Sequence, residues 1–121
     1  ERMSKVLVID DSPLVRAILC DYLRDLGHEP LAAGTAAEAL SLCAAYEPDL
    51  VIKDLVMEDT DPIILMEELL EIDADVPIVI ISTIARRQEI CEALRAGARD
   101  FMVKPLARDE VARVVQRYAR A

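Results

Sequence analysis

Glycine, tryptophan, cysteine and basic residues are all in short supply in this chain, and each shortage removes a class of function. Three glycines and no tryptophan leave no glycine-rich loop to cradle a phosphate, which counts against a flavin-type electron carrier. Cys20, Cys43 and Cys91 are odd in number, widely spaced and set in helix-like segments. Neither a disulfide framework nor a zinc site is indicated, and they read as small core or helix-packing residues. Fourteen basic residues against 23 acidic ones give a formal net charge of −9, so this domain alone is not expected to bind nucleic acid. A DNA-binding neighbour in a longer protein remains compatible with that balance. No apolar run approaches the length of a membrane span and no cleavable signal pattern opens the chain, so a cytoplasmic location without membrane insertion is expected. Met3-Ser4-Lys5 has the form of a native start, in which case Glu1 and Arg2 precede the natural chain.

What is present is a regular alternation of strand and helix signals. With 121 residues and 54% hydrophobic content, residues 1–121 fit one domain with a single core, either whole or one module of a longer chain. Ser12 caps a helix opened by Pro13, with Leu14, Val15, Ile18, Leu19, Tyr22, Leu23 and Leu26 as its apolar stripe and Gly27 at its end. Thr35-Ala36-Ala37-Glu38 has capping-box spacing and opens a second helix that stops before Pro48. Asp61-Pro62 starts a third, a fourth runs from about Arg86 to Ala96 and ends at Gly97, and the last begins near Arg108. Between them lie Val6 to Ile9, a weak Pro30 to Ala33, Leu50 to Ile52, Ile78 to Ile81, and Phe101 to Val103. These five β-α units predict an α/β fold, a doubly wound parallel sheet with helices on both faces.

Acidic side chains stand where such a sheet keeps its ligands. Asp10 and Asp11 end the first apolar run and Asp54 ends the third. If those strands are neighbours, three carboxylates converge at their carboxyl ends, and like charges held so close call for a cation.

Four points taken together, Asp10-Asp11, Asp54, Ser82 and Lys104-Pro105, each close a predicted strand in order along the chain. With them the whole sequence resembles the receiver domain of two-component response regulators. The resemblance implies a flavodoxin-like, five-stranded sheet of order 2-1-3-4-5 with five helices. It implies a phosphoacceptor module served by a sensor histidine kinase or a histidine phosphotransfer protein, and not a multiple-turnover enzyme. Asp54 would be the acceptor, forming an acyl phosphate. Asp10, Asp11, Asp54 and the backbone carbonyl of Val56 would hold Mg²⁺. Lys104 would balance the phosphoryl oxygens, Ser82 would hydrogen-bond to one of them as a switch, and Phe101 would be the aromatic switch residue. The fourth and fifth helices and the last strand would form the face for an unidentified effector or for a homodimer, with Arg86, Arg87, Arg113 and Arg117 available to an acidic partner.

Each position has a plainer reading beside this one. Asp-Asp-Ser-Pro alone would be a helix cap, Ser82 alone a strand-end hydroxyl, Lys104 alone a solvated lysine and Phe101 a core aromatic. His28 follows the helix-ending Gly27, which suits a surface turn rather than a phosphodonor. The run Glu58-Asp59-Thr60-Asp61 fails the spacing of a calcium loop and reads as solvated, with Asp61 as a cap.

The sequence also departs from the commonest family pattern. Met57-Glu58 replaces Met-Pro and Asp61-Pro62 replaces Asp-Gly. Thr83 stands where a smaller residue is usual and narrows access to the site. Lys53 takes an apolar position directly before the acceptor, where it either reaches solvent along its stem or perturbs the site. Val56 and Ile84 offer no polar side chain to orient a hydrolytic water, which implies a long-lived acyl phosphate. Two other functions are weighed against the leading one. A phosphatase or phosphotransferase resembling haloacid dehalogenases needs an Asp-x-Asp pair that Asp54-Leu55-Val56 lacks. A receiver-like interaction module independent of phosphorylation requires only the fold.

Overall fold

In the computed structural model, which describes residues 3–58 and 60–120, five strands alternate with five α-helices. They are β1 Lys5–Ile9, α1 Pro13–Asp25, β2 Glu29–Ala33, α2 Ala36–Tyr46, β3 Leu50–Asp54, α3 Pro62–Ile72, β4 Ile78–Ser82, α4 Arg87–Arg95, β5 Asp100–Val103 and α5 Arg108–Tyr118. Every pairing is parallel and the order is β2-β1-β3-β4-β5, the flavodoxin-like topology. Glu1, Arg2 and the Asp59 of the acidic loop lie outside the described residues.

The local signals explain the element ends. Ser12 Oγ accepts from Val15 N, and Asp61 accepts from both Ile63 N and Ile64 N, so each expected cap forms ahead of a proline-opened helix. Thr35 caps α2 through Glu38 N, but the Glu38 carboxylate reaches back to Gly34 N instead of the Thr35 N–H of a full capping box. The fourth helix begins differently from expectation. Ile84–Arg86 forms a 3-10 turn and the α-helix proper starts at Arg87, with no side-chain cap at either start.

The sequence predicted one core, whereas the sheet separates two. Leu7, Ile9, Val51, Ile78 and Ile80 pack with Leu65, Met66, Leu69 and Ile90 on the side of α2, α3 and α4. Val6, Val8, Leu50, Ile52, Val79 and Ile81 pack with Leu19, Leu23, Val111 and Val114 under α1 and α5. This division follows from alternation of side chains along strands buried on both faces. Two residues assigned to the α1 stripe, Leu14 and Ile18, are exposed, because the helix turns its Leu19–Leu23 side inward. Leu94 of α4 is likewise at the surface. Cys20 and Cys43 are buried, and burial pushes both thiols up, while Cys91 is exposed and is no core residue.

Candidate functional site: an acidic cluster at the strand ends

Parallel pairing of β1 with β3 places Val6 against Leu50 and Ile9 against Lys53, so Asp10 and Asp54 leave the sheet side by side. One oxygen from each of Asp10, Asp11 and Asp54 lies within 4.8 Å of the others. Asp10 is fully buried, Asp54 nearly so, and Asp11 is exposed. Asp10 Oδ1 accepts from Ser12 N at 2.8 Å, and Asp11 Oδ2 accepts from Glu58 N at 2.9 Å, tying the loop after β3 to the start of α1.

Lys104, after β5, reaches across the end of β4. Its Nζ stands 3.4 Å from Asp54 Oδ2 and 3.5 Å from Asp10 Oδ2. The second separation is an ion-pair distance without a hydrogen bond, and Asp10 Oδ2 is a buried oxygen with no hydrogen-bond partner among the described residues. Burial raises the Asp54 carboxyl above its ordinary range and the Asp10 charge adds to the rise, against the Lys104 ammonium. An orphaned buried oxygen among three convergent hard carboxylates fits a hard divalent cation such as Mg²⁺.

The remaining predicted residues surround this cluster with different dispositions. Ser82 is buried and its hydroxyl donates to the Thr83 carbonyl at 3.2 Å. Lys104 N donates to Ser82 O at 2.9 Å, and the Lys104-Pro105 bond is cis. Val56 and Thr83 are exposed in the loops beside the site. Phe101 is no core aromatic. It lies partly outward on β5, next to the buried Met102. Arg86, Arg87, Arg113 and Arg117 are all exposed, with Arg86 paired to Glu89 at 2.9 Å and Arg113 to Asp100 at 3.7 Å. His28 is half-buried and its Nδ1 accepts from Ser4 N at 3.1 Å, a structural contact far along β1 from the acids.

Lys53 does not reach solvent. Its side chain is wholly buried and Nζ donates to the Asp54 carbonyl at 2.8 Å. Burial drags its pKa down to about 8, while the Asp54, Asp61 and Asp10 charges pull the other way. A second cation, Arg16, was missed by sequence reasoning. Its Nη1 donates to the Asp10 carbonyl at 2.7 Å, in a space kept open by Gly34. A glycine directly after the second strand was the only available signal.

The chain's relatives share its family and its fold. The description "response regulator receiver domain" matches residues 6–116. The chemotaxis protein CheY of Bacillus subtilis is 32% identical over 114 residues, covering 93% of this chain and 95% of that protein. The regulatory protein AtoC of Escherichia coli is 32% identical over 115 residues, covering 95% of this chain but 25% of its own length. Among solved structures, NtrX from Brucella abortus superposes with a TM-score of 0.92 at 30% identity, over 97% of this chain and 27% of that one. The chemotaxis protein CheY4 of Vibrio cholerae gives 0.89 at 26% identity, over 97% and 99% of the two chains. With its sheet order, its strand-end acids and these likenesses in agreement, the chain belongs to the receiver domain family of two-component response regulators.

Proposed function

We propose that Asp54 accepts a phosphoryl group from a sensor histidine kinase or a histidine phosphotransfer protein in a Mg²⁺-dependent reaction. The observation that carries this reading is the Asp54 carboxylate itself, nearly buried at a strand end, 3.4 Å from the Lys104 ammonium and grouped with two further acids. An Asp54 oxygen attacks phosphorus, the P–N bond to the donor histidine breaks, and its electron pair returns to the imidazole nitrogen. Asp10, Asp11, Asp54 and the Val56 carbonyl would hold Mg²⁺, which would supply positive charge against the phosphoryl oxygens. Lys104 supplies a fixed positive charge on the other side, where positioning and electrostatics do most of the catalysis.

The switch follows from where Ser82 rests. Its hydroxyl is bonded to the adjacent Thr83 carbonyl and can rotate to donate to a phosphoryl oxygen on Asp54, which draws the start of the uncapped α4 region with it. Phe101 on β5 then changes its packing, and the surface of α4, β5 and α5 presents a different face to an effector or to a second copy. The module acts in the cytoplasm, turns over no substrate repeatedly and binds no nucleic acid itself. The competing reading is an interaction module that works without phosphorylation, and the buried Lys53 beside the acceptor is what favours it. Incubation with Mg²⁺ and a small phosphodonor, followed by intact-mass measurement, separates the two. One added phosphoryl group on the wild type and none on Asp54→Asn is expected; an unmodified wild type leaves the binding-only reading.

A further inference from the structure

Asp11 is the least constrained acid of the site. Asp10 is fully buried and Asp54 nearly so, and packing fixes their carboxylates, whereas Asp11 is exposed. An exposed side chain is free to change rotamer, and a ligand that must first be ordered holds a cation less tightly. Among the described residues the Asp11 carboxylate has one hydrogen-bond partner, the Glu58 N–H at 2.9 Å, which lies 47 residues along the chain.

The loop that carries this N–H is built to keep it in place. Met57, directly before it, is buried in the core on the side of α3. Thr60 closes the turn from the other end, its N–H donating to Met57 O at 3.3 Å and its hydroxyl to Glu58 O at 3.1 Å. The Glu58 peptide therefore stands between a buried anchor and a closed turn. Glu58 itself is exposed, and the contact to Asp11 uses only its main chain. Proline has no N–H to donate. Glu58 stands where the commonest family pattern has proline, so this hydrogen bond depends on the departure at that one position.

We propose that the Glu58 main-chain N–H is a positioning group for Asp11, holding the one exposed acid of the site in the cluster before a cation arrives. One N–H occupies one acceptor position of the carboxylate and leaves the others for Mg²⁺. The cost of ordering Asp11 is then met in folding instead of in metal binding. Glu58 acts through Asp11, so it is a positioning residue and not a catalytic one. This inference rests on the metal-dependent reading of the site.

Amide hydrogen exchange in the metal-free protein tests the contact, and magnesium titration by calorimetry at pH 7 tests what the contact does. The Glu58 N–H is expected to exchange on the order of fivefold more slowly in the wild type than in Asp11→Ala, and equal rates overturn the proposal. Glu58→Ala and Glu58→Pro both remove the Glu58 carboxylate, but only the second removes the N–H. Glu58→Pro is expected to bind Mg²⁺ roughly threefold more weakly than Glu58→Ala. Repeating the pair in an Asp11→Ala background separates positioning from damage to the loop, since with no carboxylate to hold the two should bind alike. A deficit in Glu58→Pro that survives there counts against the proposal. If the wild type binds Mg²⁺, Asp10→Asn weakens it and Glu58→Pro matches Glu58→Ala, the metal reading stands and only this inference falls. Absence of binding in every protein removes both.

Discussion

The Arg16 guanidinium turns back along α1 and donates to the backbone carbonyl of Asp10 at 2.7 Å. It fixes the peptide unit that follows the first acid of the site, much as Lys53 fixes the one after Asp54. Asp10 and Asp54 are therefore each held at the main chain by a cation outside the predicted set.

Gly34 makes room for that contact, since a Cβ there would lie 2.6 Å from Arg16 Nη1. A guanidinium is the mobile end of a long side chain, so Gly34→Ala should displace it instead of deforming the backbone. Loss of a charged hydrogen bond predicts about 1–2 kcal/mol of destabilisation for either Gly34→Ala or Arg16→Ala in urea unfolding. The double variant should cost little more than Arg16→Ala alone. Full additivity would show that the glycine does not act through Arg16.

Val56 and Ile84 flank the site with 42% and 71% of their surfaces exposed. Polar replacements, Val56→Asn and Ile84→Gln, should change stability by no more than about 0.5 kcal/mol. On the proposed function they should shorten the acyl phosphate's lifetime on the order of tenfold by orienting a water. Phosphate release timed after a single phosphorylation gives the answer, and lifetimes equal to the wild type's would sink the idea.

Arg120 anchors the end of α5 to the far side of the sheet. It meets Asp73 Oδ2 at 2.8 Å, and its backbone N–H donates to Asp49 O at 3.1 Å. The hydrogen bond from Arg120 holds the Asp73 carboxyl below its ordinary value, helped by the Asp75 and Val76 N–H groups and opposed by partial burial. A depressed folded-state pKa means that the stabilisation is complete above the unfolded value and is lost as pH falls through the folded one. Arg120→Gln should therefore cost about 1 kcal/mol at pH 7. The gap from wild type should narrow only below the ordinary carboxylate value of 3.8. A gap that stays constant down to pH 2 would assign the contribution to the Arg120 side chain's other bond, to the Pro48 carbonyl, instead.

Sequence reading succeeded where the deciding interactions are a few residues apart. Ser12, Thr35 and Asp61 cap the helices they precede, because each carboxyl or hydroxyl bonds an N–H two or three residues on. The β-branched runs became strands, and the four site segments fell at strand ends as expected. The reading failed where a residue's surroundings come from distant elements. Leu14 and Ile18 lie beside the α1 stripe, and only the placement of α5 and the sheet decides which turn of the helix is covered. Nothing near Arg87 fixes the α4 start, since no side chain caps it.

Lys53 marks that boundary most clearly. Periodicity within β3 cannot assign its face, because a central parallel strand is apolar on both sides. The sequence by itself determined the alternating units, their caps and the three acids at strand ends. Tertiary structure alone decided that Lys53 is sealed in the core, that Lys104 stands between Asp10 and Asp54, and that Ser82 rests on Thr83. Caps and periodicities act over one helical turn or one strand. The charge environment of the acids is assembled by β1, β3 and β5, which lie dozens of residues apart and meet only when the sheet closes.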